Sequence, residues 1–204
     1  MLERLFNHDS SFWRAMGWVA DVVWLNVLVV ASCLPVVTAG AGLTALTDTA
    51  RRLSQDADRG VTRTFLASFR ANLRQGTALW LVVGPTGLAL LGSWVFLRLP
   101  ELLVLKVLLS TVYLLTFPLV WAMQARFDND VLSTLRNALV VTFARLPLSA
   151  AVLAAHAVFA ALFVSVLAVF PQGLFLLVML GYPLVALAVA PLLERTLQPL
   201  LAQA

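Results

Sequence analysis

Side chains able to act as acids, bases or ligands are few in this sequence and lie far apart. Asp21 and Asn26 interrupt the first long apolar run, and His156 stands alone among alanines in the fourth. An ionisable residue inside such a run indicates a functional site by default. Hydration near the end of the run explains Asp21 as well, and packing against a neighbouring helix explains Asn26 and His156. These three residues are the polar candidates within apolar runs.

No catalytic or metal-binding set can be assembled from the sequence. It contains no G-x-S-x-G motif, no P-loop and no H-E-x-x-H pattern. Cys33 is the only cysteine, so it can form no internal disulfide and supports no metal site by itself. We therefore expect no enzymatic activity, no cofactor and no metal.

The composition indicates a membrane protein. Hydrophobic residues make up 61% of the 204 residues and charged residues only 12%, and the mean hydropathy is +0.93. Soluble domains carry about 25% charged residues. Five apolar runs reach the roughly 20 residues that a membrane-spanning helix needs, at 16–37, 76–97, 102–123, 148–170 and 173–193. We predict an all-α chain, a single membrane domain over 1–204 with about five transmembrane helices.

The distribution of cations predicts the orientation in the membrane. The connections 38–75 and 124–147, together with Arg195, hold ten of the 14 cations. These are Arg51, Arg52, Arg59, Arg63, Arg70 and Arg74 in the first connection, and Arg126, Arg136 and Arg145 in the second. The positive-inside rule places both connections and the C-terminus in the cytoplasm and the N-terminus outside, with Arg4, Arg14, Arg98 and Lys106. The cations thus reflect topology and lipid contact rather than nucleic-acid binding.

Both long connections have helical periodicity. In 63–75 an arginine stripe lies beside an apolar flank, which predicts a cytoplasmic amphipathic helix in the headgroup plane. A second amphipathic helix is predicted at 130–145, after a reasonable start signal at Asn129-Asp130. These helices either cover the ends of the bundle or dock a partner. The candidate contacts with a partner or with lipid headgroups are Arg63, Arg70, Asn72 and Arg74.

The first apolar run ends in a break rich in proline, threonine and glycine. We interpret it as a rigid helix–turn–helix elbow, since proline cannot continue the hydrogen-bond ladder and glycine permits unusual backbone angles and close helix contact. The alternative is an anion held at the N-terminus of a half-helix. A signal-peptide cleavage site at 39–41 is disfavoured by the length of the run. The elbow residues are Pro35, Thr38, Gly40, Gly42 and Thr44.

The segment containing this elbow resembles the signature of the YesL-like family of bacterial integral membrane proteins. The matching motifs are L-N-x-L at 25–28, L-P-x-x-T-x-G at 34–40, T-A-L at 44–46 and F-x-x-x-F-x-x-N at 65–72. Thr47-Asp48 departs from the aromatic pair that family members often carry there. The resemblance implies a multispanning protein of the bacterial cell membrane, with genes that commonly neighbour those of carbohydrate ABC transporters. It implies no activity.

Two functions follow as hypotheses. The first is a non-enzymatic accessory protein of a carbohydrate ABC-type uptake system, bound to permease subunits through its basic cytoplasmic segments. The second is a small transporter or channel that acts as a homo-oligomer. The latter draws on Asp21 and on an internal echo at offsets of 71 to 74 residues, which pairs Phe69 with Phe143, Pro100 with Pro171 and Pro118 with Pro191. Such repeats recur in transporters.

Overall fold

The computed structural model describes residues 11–55 and 60–201, and this part of the chain is helical and has no strand. Arg4 and Arg59, which entered the orientation argument, lie outside it. The α-helices are α1 (Ser11–Cys33), α2 (Ala39–Ser54), α3 (Val61–Phe96), α4 (Leu103–Gln124), α5 (Val131–Ala144), α6 (Leu146–Val169) and α7 (Leu174–Leu201). Of these, α1, α3, α4, α6 and α7 are long and apolar enough to cross a membrane. The prediction of an all-α protein with five membrane-length helices is confirmed.

The prediction of a separate amphipathic helix at 63–75, lying in the headgroup plane, is wrong. This segment is the first part of α3, which runs for 36 residues without interruption, or about 54 Å at 1.5 Å per residue. Part of the apolar flank that the sequence assigned to lipid is covered by protein: Phe65 is buried, and Leu66 and Phe69 pack against its cluster. Trp24 Nε1 of α1 also donates a hydrogen bond to Thr62 Oγ1 at 2.7 Å.

The position of proline explains why the amphipathic helix of the second long connection is separate from the next membrane-length helix, whereas that of the first is not. Residues 74–78 contain no proline, so the amphipathic segment continues directly into the first membrane-length part of α3. In the second connection α5 ends at Ala144, and α6 begins with Pro147 in its first turn. Proline fits the first turn of a helix but removes a hydrogen bond further in. The two halves of the internal echo therefore differ at this junction.

The elbow is built differently from the prediction. A single turn of 3-10 helix, Val36–Thr38, joins α1 to α2. The residue with unusual backbone geometry is Val36, whose φ is 33°, a strained value for a β-branched side chain. Gly40 and Gly42 lie inside α2 and are buried. Their role is close packing and not the turn.

The most buried residues gather around α2. One cluster joins α2 to Leu25 and Val29 of α1 and to Phe65 of α3. A second cluster lies next to it and contains the C-terminal residues of α4 with parts of α3, α5, α6 and α7, including Trp121 and Leu197. Since α2 contacts α1, α3, α4 and α7, this short helix is the centre of the packing.

The opposite end of the bundle is apolar and uncovered. Here α3 and α4 meet at a 3-10 turn that begins at Pro100, and α6 and α7 meet at one that begins at Pro171. Large apolar side chains around both turns are exposed, among them Phe96, Val104, Val169 and Phe175. A soluble protein rarely exposes so much contiguous apolar surface. This end of the bundle is therefore suited to lipid.

Candidate functional site

A buried carboxylate lies beside two arginines in the C-terminal half of α2, within the connection that is predicted to be cytoplasmic. Asp48 is only 4% exposed. Its Oδ1 accepts a hydrogen bond from Arg51 at 2.6 Å, and its Oδ2 accepts one from Arg52 Nε at 3.0 Å. The spacing of three and four residues puts all three side chains on one helix face. Both oxygens of Asp48 are thus occupied, and the group carries one net positive charge.

A cavity of about 690 Å³ opens beside this group, between α2, α3 and α4. Asp48 and Arg52 line it from α2, six residues line it from α3, and Ala125, directly after α4, completes the lining. The residues from α3 recur at helical spacing, which turns one face of that helix towards the cavity. They are Arg63, Thr64, Ala67, Ser68, Ala71 and Asn72.

A chain of amide hydrogen bonds joins α3 to α4 at Asn72, which lines the cavity. Gln124 Nε2 of α4 donates to Asn72 Oδ1 at 3.0 Å. Asn72 Nδ2 in turn donates to the backbone carbonyl of Ser68, one turn earlier in α3, also at 3.0 Å. Because the Asn72 amide both accepts a hydrogen bond from α4 and donates one within α3, it fixes the distance between these two helices at Asn72.

Several buried polar atoms of α2, α3 and α4 have no partner among the described residues. They are Arg51 Nε, Ser68 Oγ, Gln75 Nε2, Trp121 Nε1 and Gln124 Oε1. A buried polar group without a partner costs about 1–3 kcal/mol, and most such groups in proteins find protein or water partners. Of these residues only Ser68 lines the cavity, so its hydroxyl is the unpaired group that a ligand in the cavity would reach.

A second ion pair lies on the other side of α4. Arg126 donates two hydrogen bonds to the Glu194 carboxylate of α7, from Nε to Oε1 at 3.2 Å and from Nη2 to Oε2. The two side chains are 22% and 19% exposed. The pair ties the C-terminal part of α7 to the connection between α4 and α5.

Among the predicted polar residues, Asn26 is placed at a kink. Its Nδ2 donates to the carbonyl oxygens of Val178 and Met179 at 2.6 and 3.2 Å. Gly181 follows, with φ 52° and ψ −158°, and interrupts α7 there. Asn26 therefore satisfies carbonyls that the kink releases from the helix ladder.

His156 also has a partner in α7. Its Nε2 lies 2.9 Å from the Tyr182 hydroxyl, and its Nδ1 lies 2.8 Å from the Val152 carbonyl oxygen. Both ring nitrogens are thus in use. Asp21 is exposed on α1 and lines none of the cavities described here. The three polar candidates are not brought together.

The remaining predicted residues divide into two groups. Arg63 and Asn72 line the cavity, whereas Arg70 and Arg74 are exposed on α3 outside it. At the elbow, Thr38 donates to the Ser32 carbonyl at 2.6 Å and Thr44 to the Gly40 carbonyl at 2.8 Å, while Pro35 and Gly42 carry no polar side chain. Residues 39–42 are buried against other helices, so the start of α2 is not an open anion site.

Sequence reasoning missed Asp48, Arg52, Ser68 and Gln124 as site residues. The i, i+3 and i+4 spacing of Asp48, Arg51 and Arg52 was a usable signal, because it predicts a charged cluster on one helix face. No local signal marks Ser68 or Gln124. Within residues 11–55 and 60–201, no three His, Cys, Asp or Glu side chains lie close enough to hold a metal ion.

Comparison with known proteins identifies one domain. A family model described as a protein of unknown function, DUF624, matches residues 22–94. No curated protein and no solved structure matches the chain. The matched segment includes α2 and nearly all of α3, and so contains every residue that lines the cavity except Ala125.

Proposed function

We propose that the chain is a non-enzymatic accessory protein of the bacterial cell membrane, in the YesL-like family, that assists a carbohydrate ABC-type uptake system. Its partner would be a permease subunit. The motifs at 25–46 and 65–72 are the basis for the family, and the family's usual gene neighbourhood is the basis for the partner.

One observation carries the accessory role: the two ends of the bundle are chemically different. The ion pairs of Asp48 and Glu194 and the exposed Arg70 and Arg74 all lie at the α2 end. At the far end, helices with exposed apolar side chains are joined in pairs, α3 to α4 and α6 to α7, by tight turns. A protein with one charged, water-facing end and a mainly apolar opposite end, where Arg98 and Glu101 lie at the first hairpin turn, is suited to anchoring and docking.

The contact surface would be the exposed part of the arginine stripe on α3. Arg70 and Arg74 form no hydrogen bond or ion pair with any described residue, so both guanidinium groups are free for a partner. Arginine is enriched in protein interfaces and suits acidic or carbonyl-rich surfaces. We place this end in the cytoplasm, where the cytoplasmic loops of a permease would be within reach.

Affinity purification in mild detergent, from native cells grown on several sugars, tests this role. We expect co-purification of a carbohydrate permease subunit, and its loss in the double variant Arg70→Glu/Arg74→Glu. Arg98→Glu, an equally exposed arginine at the opposite end, is the matched control and should retain the subunit. Purification without any transporter subunit on every sugar would contradict the proposal.

The transporter alternative is favoured by one feature, the similar construction of two hairpins. Both α3–α4 and α6–α7 turn through a three-residue 3-10 helix that begins with proline. Five membrane-length helices are few for a carrier, so a homo-oligomer would be required. Solute flux into proteoliposomes that is reduced by Asp21→Asn would support this alternative. Flux equal to that of empty vesicles would eliminate it.

A further inference from the structure

We infer that the cavity between α2, α3 and α4 is a binding site for a phosphate monoester. This inference goes beyond the proposed accessory role, since it concerns a small ligand and not a permease. The site is the cavity itself, and the exposed Arg70 and Arg74 outside it are not needed for ligand binding.

The first argument is charge. Asp48, Arg52 and Arg63 line the cavity, and Arg51, which lies outside it, pairs with Asp48. These four side chains together carry one negative and three positive charges, which leaves an excess of two. A phosphate monoester carries about −1.5 to −2 at neutral pH. No other carboxylate among the described residues lines the cavity. The cavity thus offers about the charge that such a group needs.

The second argument is the supply of free donors on two helices. Arg52 uses only Nε for Asp48, which leaves its two terminal amino groups without a partner among the described residues. Arg63, on α3, forms no hydrogen bond or ion pair with a described residue. Guanidinium groups bind phosphate oxygens in a bidentate manner. Two of them, from two helices, can hold different oxygens of one phosphate.

The third argument is Ser68. The residue lines the cavity and is 7% exposed, and its Oγ is buried without any partner in the described part of the chain. A phosphate oxygen bound in the cavity would supply the acceptor that this hydroxyl lacks. Binding would therefore satisfy a polar group that the protein alone leaves unsatisfied.

The size of the cavity favours an organic ester over bare phosphate. Its volume of about 690 Å³ lies within the roughly 300–1,000 Å³ of small-molecule sites. The alanines at 67, 71 and 125 leave room beside the arginines for the organic part. The same phosphate group could come from a soluble ester or from the headgroup of phosphatidic acid.

Titration of the full-length protein in phosphatidylcholine nanodiscs with glycerol 3-phosphate tests the inference. We expect saturable binding that Arg63→Gln weakens about tenfold or more, because a charged hydrogen bond is lost. Arg70→Gln is the matched control: it removes the same charge two turns along α3, outside the cavity, and should change affinity less than about twofold. Ser68→Ala should also weaken binding, and unchanged thermal unfolding of each variant without ligand separates binding from folding.

A second arm identifies the source of the phosphate. Nanodiscs with added phosphatidic acid should raise the apparent Kd of glycerol 3-phosphate if the lipid headgroup enters the same site. Should the soluble ester not bind, retention of phosphatidic acid by the purified protein must be lost in Arg63→Gln and kept in Arg70→Gln. Equal effects of the two variants, or no binding of either probe, would overturn the inference. Capture of a permease would be unaffected by these outcomes.

Discussion

The backbone of Gly40 in α2 touches the backbone of Gly76 in α3. A Cβ atom at Gly40 would overlap the Gly76 carbonyl oxygen, and one at Gly76 would lie 2.9 Å from the Ala41 Cα. No side chain separates the two helices at this point. Small residues commonly permit such close approach between helices in membranes. The contact fixes the position of α2 along α3, and with it the two walls of the cavity.

Gly40→Ala should therefore destabilise the protein. We expect a loss of about 1–3 kcal/mol, the usual cost of adding a methyl group to a tightly packed site, measured by thermal or denaturant unfolding in detergent. The matched control is Gly92→Ala, also inside α3, where a Cβ meets nothing closer than Phe96 at 3.9 Å. That change should be neutral or stabilising, since alanine favours helix. A stable Gly40→Ala protein would contradict the close contact.

Asn26 and Gly181 should show strong coupling. Gly181→Ala forces a side chain into a positive-φ backbone conformation that essentially only glycine adopts, and against the Asn26 amide. The backbone strain alone costs about 1–3 kcal/mol. Asn26→Ala loses the bonds to Val178 and Met179, worth about 0.6–2 kcal/mol. In the double variant the steric overlap is gone, so its destabilisation should be smaller than the sum of the two single losses. Simple additivity in this double-mutant cycle would refute the contact.

The elbow illustrates how far sequence reasoning reaches in this protein. Pro35 correctly indicates that the first helix ends nearby, because proline breaks the hydrogen-bond ladder. It does not indicate which residue bends. The sequence favours glycine for the unusual backbone angle, yet Val36 takes the positive φ and the glycines pack inside α2. The close helix contact expected of the glycines is present at Gly40 and Gly76, but no local pattern identifies Gly76 as the partner.

The candidate site shows the same limit for polar residues. Arg63 and Asn72 were singled out from the sequence as contacts for lipid headgroups or a partner, and both line the cavity. Their partners on other helices were not foreseen, since Gln124 lies 52 residues from Asn72. The continuity of α3 was missed because the arginine stripe resembles a surface helix. The hydropathy pattern shows where α3 passes from an amphipathic segment to an apolar one. It does not show whether the helix bends or breaks at that point.

The ion pair between Arg126 and Glu194 should contribute measurably to stability. Exposed pairs contribute roughly 0–1 kcal/mol, whereas breaking a buried pair costs roughly 3–5 kcal/mol. With side chains about one-fifth exposed, Glu194→Gln should cost about 2 kcal/mol in denaturant unfolding. The exchanged pair Arg126→Glu/Glu194→Arg should recover part of this loss. Arg136→Gln, at an exposed cation of α5, serves as the control and should have little effect.

Asp130 should make the stability of α5 depend on pH. Its side chain caps the helix by accepting a bond from the Ser133 backbone, and hydrogen bonding by Ser133 lowers the pKa of Asp130 below its ordinary value of 3.8. A lowered pKa means that the contribution is fully present above the ordinary value and is lost as the pH falls through the lower one. Asp130→Ala should lower the melting temperature near neutral pH.

The difference between Asp130→Ala and the unchanged protein should shrink in acid, as the carboxylate becomes protonated in both folded and unfolded chains. Asp128→Ala, two residues earlier and exposed, should not show this loss at neutral pH. A deficit of Asp130→Ala that is constant from neutral to acid pH would mean that the charged cap does not contribute.

The orientation of the bundle can be tested with single cysteines, since Cys33 is the only native one. In a Cys33→Ser background, Gln55→Cys and Arg136→Cys report on the two long connections, and Arg98→Cys reports on the first hairpin turn. All three positions are exposed. An impermeant maleimide should label Arg98→Cys in intact cells and the other two only after permeabilisation, because cation-rich connections stay in the cytoplasm. If Gln55→Cys and Arg136→Cys were labelled from opposite faces, α2 and α5 could not share one end of the bundle, and both the cavity and the docking surface would have to be rejected.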